Sequence, residues 1–397
     1  MRISSSQMYS NSLTSMLNQQ AKLAKTQQQL STGQRLLNPS DDPVGTVQSL
    51  ELSRAQDQTS QYVRNADLLD SRLRLEESIV GSSIDVVQRI RELTIQANND
   101  SQGNESRLSI ASELRQQLDN LLSYANTKDS SGHYIFAGYQ EGSTPFSKTA
   151  SGYIYNGDDG RRELQIGPSR RMADGDPGSD VFMGILNGNG KFIASASAAN
   201  TGTGIINAGS VTDVQAFNRD NVSIRFSSAS QYDIIDEGGA IIDSGNYLSG
   251  GDILVAGMSV SIKGEPAAGD EFSLAPSKRQ DIFSMVESLA ESLETPRNNP
   301  SQRAAQHNEI NTALSGFDRA LDHLIQTQSS IGSRMESLQR QVDINQGASL
   351  QIAENLSMIN DLDYAEAISR FSQQQTALQA AQQAFAKTQG LSLFNYI

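Results

Sequence analysis

The chain has 397 residues but no cysteine and no tryptophan, and aromatic residues make up only 6% of it. Without cysteine there can be no disulfide, no thiolate zinc site and no cysteine nucleophile. Folding is then independent of redox compartment, and export from the cell would need no oxidative step. Histidine is nearly as scarce. His133, His307 and His323 are the only three, and none sits in an H-E-x-x-H spacing. No apolar run approaches the roughly 18–20 residues of a membrane span, which argues against membrane insertion. The opening MRISSSQMYS carries one Arg with no apolar block behind it, so it does not read as a signal peptide. Bases are outnumbered, and the formal net charge of −14 is the wrong sign for a nucleic-acid partner.

The acids are also missing from one place. Residues 1–40 hold four bases and no acid, and residues 364–397 hold two bases and one acid. The two ends therefore carry +5, and residues 41–363 carry −19. The ends belong to a different physical class from the middle.

What the ends do contain is helical periodicity. Tyr9, Met16, Leu23, Leu30 and Leu37 recur every seven residues, with Leu13, Leu17, Ala21 and Ala24 beside them, an apolar seam at coiled-coil period. The exposed positions are amides, Gln19, Gln20 and Gln27 to Gln29. Gly33 suits a helix stop, and Pro39 holds Asn38 out of the helical region. Asp42 is placed to cap a second helix with Pro43 at its first position. That helix repeats Ala66, Leu73, Val80, Val87 and Thr94 by sevens, with Tyr62, Leu69, Ile90 and Ala97 in the second seam position. The break NNDSQGN (98–104) ends it, and a shorter helix follows with Leu108, Ala111, Leu114, Leu118 and Leu121 on one side.

From His133 the composition turns to Gly, Asp and Ser, with short alternating runs such as Tyr134-Ile135-Phe136 and Tyr153-Ile154-Tyr155. Residues 168–276 read as a separate β-rich domain. Helices resume at about Asp281, break at ETPRNNP (294–300), and then repeat Ile331, Leu338, Asn345, Ile352 and Ile359 by sevens. Asn345 and Ser349 form a polar layer of the kind that fixes register. After Asn360-Asp361-Leu362-Asp363 a last amphipathic helix lines up Phe371, Leu378 and Phe385, with Ile368 beside them. The expected fold is mainly α with an inserted β-rich domain, a long antiparallel helical rod built from both chain ends. Its domains are 1–40 with 364–397 (terminal helical assembly domain), 41–167 with 277–363 (helical rod with a β-hairpin) and 168–276 (outer β-rich domain).

Features that could carry chemistry resolve into turns. Gly184 and Gly190-Lys191 have five intervening residues, not the four of a phosphate loop, and Phe192 stands where a magnesium-binding hydroxyl belongs. Asp41-Asp42 and Asp158-Asp159 sit beside Pro or Gly, where capping and turn formation explain them. DGDPGSD (174–180) resembles a calcium loop but lacks the closing Glu. No catalytic, cofactor-binding or metal site is expected, and no cofactor.

LSTGQRLLNPSDDPVG (30–45) and ENLSMINDLDYAEAISRFSQQQ (354–375) resemble the N- and C-terminal signatures of the flagellin superfamily. GHYIFAGY (132–139) and YNGDDGRREL (155–164) resemble its hairpin. The opening MRISSSQMY, Pro43 after Asp41-Asp42, and the closing LSLFNYI are closer to the hook–filament junction branch than to flagellin itself. The resemblance covers 1–167 and 277–397 and leaves 168–276 unmatched. It implies a structural, non-enzymatic subunit that joins hook to filament as a ring of its own copies, with hook-associated protein 1 on one side and flagellin on the other. It further implies type III export through the flagellar channel and a chaperone on the C-terminal helix. The residues expected at the assembly interface are Leu13, Met16, Leu23, Leu30, Ile368, Phe371, Leu378 and Phe385, with Asp41, Asp42 and Pro43 as the signature turn. Two rivals remain open: a short flagellin, and an adhesin-like or carbohydrate-binding module in the outer domain.

Overall fold

The computed structural model describes residues 5–99, 101–150 and 152–390, so the first residues of MRISSSQMY and all of LSLFNYI lie outside it. Helix α1 (Ser5–Thr32) is followed by α2 (Pro43–Ala97) and α3 (Asn104–Ala125). Two hairpins come next, β1 (Phe146–Thr149) with β2 (Gly152–Tyr155) and β3 (Glu163–Gly167) with β4 (Arg170–Ala173), and then the short α4 (Gly178–Phe182). Eleven strands follow: β5 (Ile185–Leu186), β6 (Phe192–Ala196), β7 (Ile205–Ile206), β8 (Ser210–Val211), β9 (Val222–Ser228), β10 (Gln231–Asp236), β11 (Ile241–Asn246), β12 (Asp252–Val255), β13 (Met258–Lys263), β14 (Glu271–Pro276) and β15 (Arg279–Gln280). Helices α5 (Ile282–Glu294), α6 (Pro300–Asn360) and α7 (Tyr364–Gly390) complete the chain. These elements form two compact units, one from Met1–Arg64 with Arg340–Ile397 and one from Asn65–Gln339.

In the first unit α1 runs antiparallel to α7. The rings of Tyr9 and Phe385 lie 5.0 Å apart near one end, Gln19 reaches the carbonyl of Gln374, and at the other end Leu362 N–H donates to Gly33 C=O at 3.0 Å. The polar layer read from the sequence is present. Asn345 is buried and accepts from Gln341 at 3.0 Å, and Gln56 donates to Ser349 Oγ at 2.7 Å. Burying these amides is tolerable because each finds a partner.

In the second unit the heptad positions of α2 are the core. Ala66, Leu69, Leu73, Val80, Val87, Ile90, Thr94 and Ala97 are all buried. Side-chain contacts Asn98–Asn311, Arg91–Asp318 and Glu77–Gln328 advance along α6 as they retreat along α2, so the two helices are antiparallel. Helix α3 packs on α5, tied by Arg115 and Glu294 at 2.7 Å. Phe136, Phe146, Tyr153, Phe182 and Phe283 form one aromatic cluster with centroids 5.1–5.8 Å apart, so α4 is held in the helical body.

The β-rich body contains a five-stranded sheet ordered β11-β10-β9-β14-β6 and a smaller one ordered β12-β13-β7, with β8 also on β13. Phe192, Ile224, Phe226, Val260, Ile262, Phe272 and Leu274 fill the layer between them. Its two ends meet: Ser277 N–H donates to Lys191 C=O and Asn187 N–H to Lys278 C=O, both at 3.0 Å. Hairpin β3–β4 closes across residue 168, ahead of this body.

One expected strand is absent. Tyr134-Ile135-Phe136 is a turn-rich loop with only an isolated bridge from Tyr134 to Lys128. Its apolar side chains go inward, while Phe136 C=O accepts from Gly178 N–H and Tyr155 Oη–H, and Gly138 turns the chain at φ +65°. With its backbone satisfied by loops, the segment has no need of a ladder.

Candidate assembly interface

Helix α1 stops where the sequence places the stop. Gly33 adopts φ +72°, the left-handed conformation a helix end favours, and its N–H closes the last turn onto Gln29 C=O at 2.9 Å. A side chain there would also meet Tyr364 Oη, at 2.9 Å. Asp42 then caps α2, its Oδ1 accepting from Gly45 N–H at 2.9 Å, with Pro43 as the first helical residue. Gly45 leaves room for this, since a Cβ would fall 2.5 Å from Asp42 Oδ2. Asp41 organises the turn itself. Its Oδ2 accepts from the N–H groups of Leu37 and Asn38, and its Oδ1 meets Lys25 Nζ at 2.5 Å. The Lys25 ammonium holds the Asp41 carboxyl below its ordinary pKa. The signature pair is thus a turn-and-cap device.

This turn is built against the break between α6 and α7. Arg35 N–H donates to Asn360 C=O at 2.7 Å, Arg35 Nε donates to Ile359 C=O at 3.0 Å, and Gln34 bridges Asp361. Asp363 caps α7 by accepting from Ala365 and Glu366 N–H. The two signature segments, more than 300 residues apart in sequence, make one interlocked corner.

The eight expected interface residues divide. Leu13, Met16, Leu23, Leu30, Phe371, Leu378 and Phe385 are half-buried on the α1–α7 pair, whereas Ile368 is 58% exposed. The seam is therefore partly covered within the chain. Other apolar side chains of this unit stand further out: Leu17 at 53%, Val47 at 56%, Leu350 at 64% and Met358 at 73% exposed, with Tyr9, Val44, Leu50, Ile344 and Tyr364 also exposed. Tyr9 and Leu17 belong to the seam that a reading by sevens selects, whereas that reading passes over Val44, Val47, Leu50, Ile344, Leu350, Met358 and Tyr364. Their sequence signal is a second stripe, such as Val44, Val47 and Leu50 at three-residue spacing.

The residues weighed for chemistry have structural partners. Asp158 Oδ1 accepts from Tyr139 and Gly160 N–H, and Asp159 from Ser179 Oγ. Asn189 Oδ1 accepts from the N–H groups of Lys191 and Phe192 in a tight turn, and Phe192 is core. The aspartates of 174–180 meet arginines: Asp174 meets Arg72 and Arg162, Asp176 meets Arg161 and Arg334, and Asp180 meets Arg161. Among the described residues no group of three His, Asp or Glu is placed to hold a metal ion. Sequence reasoning missed the role of Arg72, which is buried and clamps Asp129, Glu141 and Asp174 at 3.1–3.2 Å.

The chain's likeness to known proteins follows this architecture. Residues 3–141 match the bacterial flagellin N-terminal helical region and residues 314–397 the C-terminal one. Flagellar hook-associated protein 3 of Escherichia coli (strain K12) is 26% identical over 395 residues, covering 99% of both chains. The crystal structure of flagellar hook associated protein-3 from Legionella pneumophila is 34% identical with a TM-score of 0.74, covering 78% of this chain and 98% of that one. That of FlgL from Xanthomonas campestris is 31% identical with a TM-score of 0.74, covering 77% and 99%. Among the described residues no helix is long and apolar enough to cross a membrane. A full-length match, flagellin-type helices at both ends and an interlocked pair of signature turns lead to one conclusion: the chain belongs to the flagellar hook-associated protein 3 family, structural junction components of the bacterial flagellum.

Proposed function

We propose that the chain polymerises through its terminal helices, residues 1–40 with 364–397, into a ring at the hook–filament junction, and that it has no catalytic role. The observation that carries this reading is the apolar surface of the first unit. The pair α1–α7 only half-buries its seam and leaves Leu17 and Ile368 more than half exposed, as is Met358 near the end of α6. Apolar patches of this kind are favourable only when something covers them. Neighbouring subunits would do so without adding chain to be ordered. The near absence of acids in both ends supports the same reading, because a helix packed on several sides has little room for solvated carboxylates.

In this arrangement Leu13, Met16, Leu23, Leu30, Ile368, Phe371, Leu378 and Phe385 form the assembly surface, and Asp41, Asp42 and Pro43 set the corner that presents it. Hook-associated protein 1 lies on one side and flagellin on the other. Residues 41–167 with 277–363 act as the supporting rod, and 168–276 contain the outer β-rich domain. The subunit leaves the cell by the flagellar type III route, with a chaperone holding the C-terminal helix beforehand. Electron microscopy of a strain lacking the gene tests the junction role. The expected result is a hook without a filament and flagellin lost to the medium. Filaments of normal length on that strain would favour an adhesin or enzyme role instead.

A further inference from the structure

Among hairpin β3–β4, strand β15 and helix α6 lies a cavity of about 380 Å³ into which Arg161, Arg279, Arg334 and His323 converge. Three guanidinium groups in one cavity are unexpected on a chain with net charge −14. Two acids line it as well, but both are engaged. Asp176 pairs with Arg334 through Oδ2 and lies 3.5 Å from Arg161 through Oδ1, and its N–H donates to Glu76 Oε1 at 2.9 Å. Asp180 Oδ2 accepts from Arg161 at 2.9 Å, and its backbone carbonyl accepts from His323 Nε2 at 2.6 Å.

Three guanidinium groups against two carboxylates leave one positive charge without a counterpart. Its owner is Arg279, whose backbone is fixed opposite Leu186 but whose side chain has no acidic partner among the described residues. Arg334 is engaged: its guanidinium pairs with Asp176, and its Nε is closed off from solvent within the packed chain.

We propose that this cavity binds a small oxyanion, of phosphate or dicarboxylate size, with Arg279 supplying the uncompensated charge. The guanidinium fork matches carboxylate and phosphate oxygens in two-point contacts. The volume lies at the lower end of small-molecule sites, which suits an anion of a few heavy atoms better than a polypeptide segment. Bound there, the anion ties β15 to the middle of α6 and so stabilises the second unit by mass action.

The test uses the full chain, with isothermal titration and thermal unfolding followed by circular dichroism. Sodium phosphate and sodium succinate are titrated separately at ionic strength held constant with sodium chloride. The expected result is saturable binding and a raised melting temperature with at least one of the two. The one that acts identifies the ligand as phosphoryl or carboxylate. Arg279→Gln, a change at an exposed side chain, is expected to weaken binding about tenfold with an unaltered dichroism spectrum. Arg171→Gln, an exposed arginine outside the cavity, is expected to leave binding unchanged. Absence of any saturable response beyond that of chloride overturns the proposal. So does equal weakening by both substitutions, which would mark general charge attraction.

Discussion

Glu76 occupies a seam position of α2, between Leu73 and Val80, and is only 2% exposed. Its Oε1 accepts from Asp176 N–H at 2.9 Å, and its Oε2 has no partner. Burial and the adjacent Asp176 carboxylate push its pKa from 4.5 up to about 8, against partial relief from Arg334. The sign follows from linkage. Below about pH 4 the carboxyl is protonated in both folded and unfolded chains, and there is no penalty. As pH rises from 4.5 towards 8 the unfolded chain ionises while the folded one does not, so stability falls across that window. Above it the penalty is complete, with a ceiling of roughly 5 kcal/mol, and at pH 7 the same arithmetic gives about 3 kcal/mol. Glu76→Gln keeps the acceptor for Asp176 N–H and removes the ionisation. The variant is expected to match the parent at pH 4 and to exceed it by at least ~1 kcal/mol at pH 7, with a wider margin at pH 9. Urea unfolding followed by circular dichroism at the three pH values measures this. A difference that does not grow with pH, or a variant less stable than the parent at pH 9, would refute the argument.

Three further outcomes are expected. Leu23→Asp combined with Leu30→Asp places charges on the half-buried seam and should abolish junction assembly while leaving the core of the second unit folded, since that core uses neither residue; normal filaments on cells carrying only this variant would count against the seam as the assembly surface. In hydrogen exchange on the purified monomer, amides of 9–32 and 365–387 should exchange far faster than those of 66–97, because the terminal pair is a thin two-helix layer whereas the α2 seam is fully buried; equal protection would make the terminal pair ordinary core. Replacing 192–276 by a short Gly-Ser linker should preserve the helical dichroism, because Lys191 and Ser277 are already hydrogen-bonded neighbours, whereas removing 168–276 takes Phe182 out of the aromatic cluster and should destabilise the helical body by several kcal/mol; identical melting of the two deletions would overturn that boundary.

Local rules carried the helical part of this molecule. The heptad repeats, the Gly33 stop, the Asp42 cap with Pro43, and the breaks at 98–104 and 294–300 were all legible, because each depends on residues within one or two helical turns. The signature motifs at both ends likewise led to the family. What remained hidden depends on partners distant in sequence. The strand order β11-β10-β9-β14-β6 joins segments that carry similar alternation, so the pattern alone cannot rank them. Tyr134-Ile135-Phe136 has strand composition, yet its backbone bonds go to Glu141, Thr127, Gly178 and Tyr155, scattered loop and side-chain partners that only the packed structure supplies. The aspartates of 174–180 look like cation ligands in a linear reading. Arg72 on α2, Arg161 and Arg162 from the loop before β3, and Arg334 on α6 neutralise them only after those elements are brought together. Short-range sterics and capping are written in neighbouring residues, whereas charge pairing and sheet order are decided by the long-range contacts that folding creates.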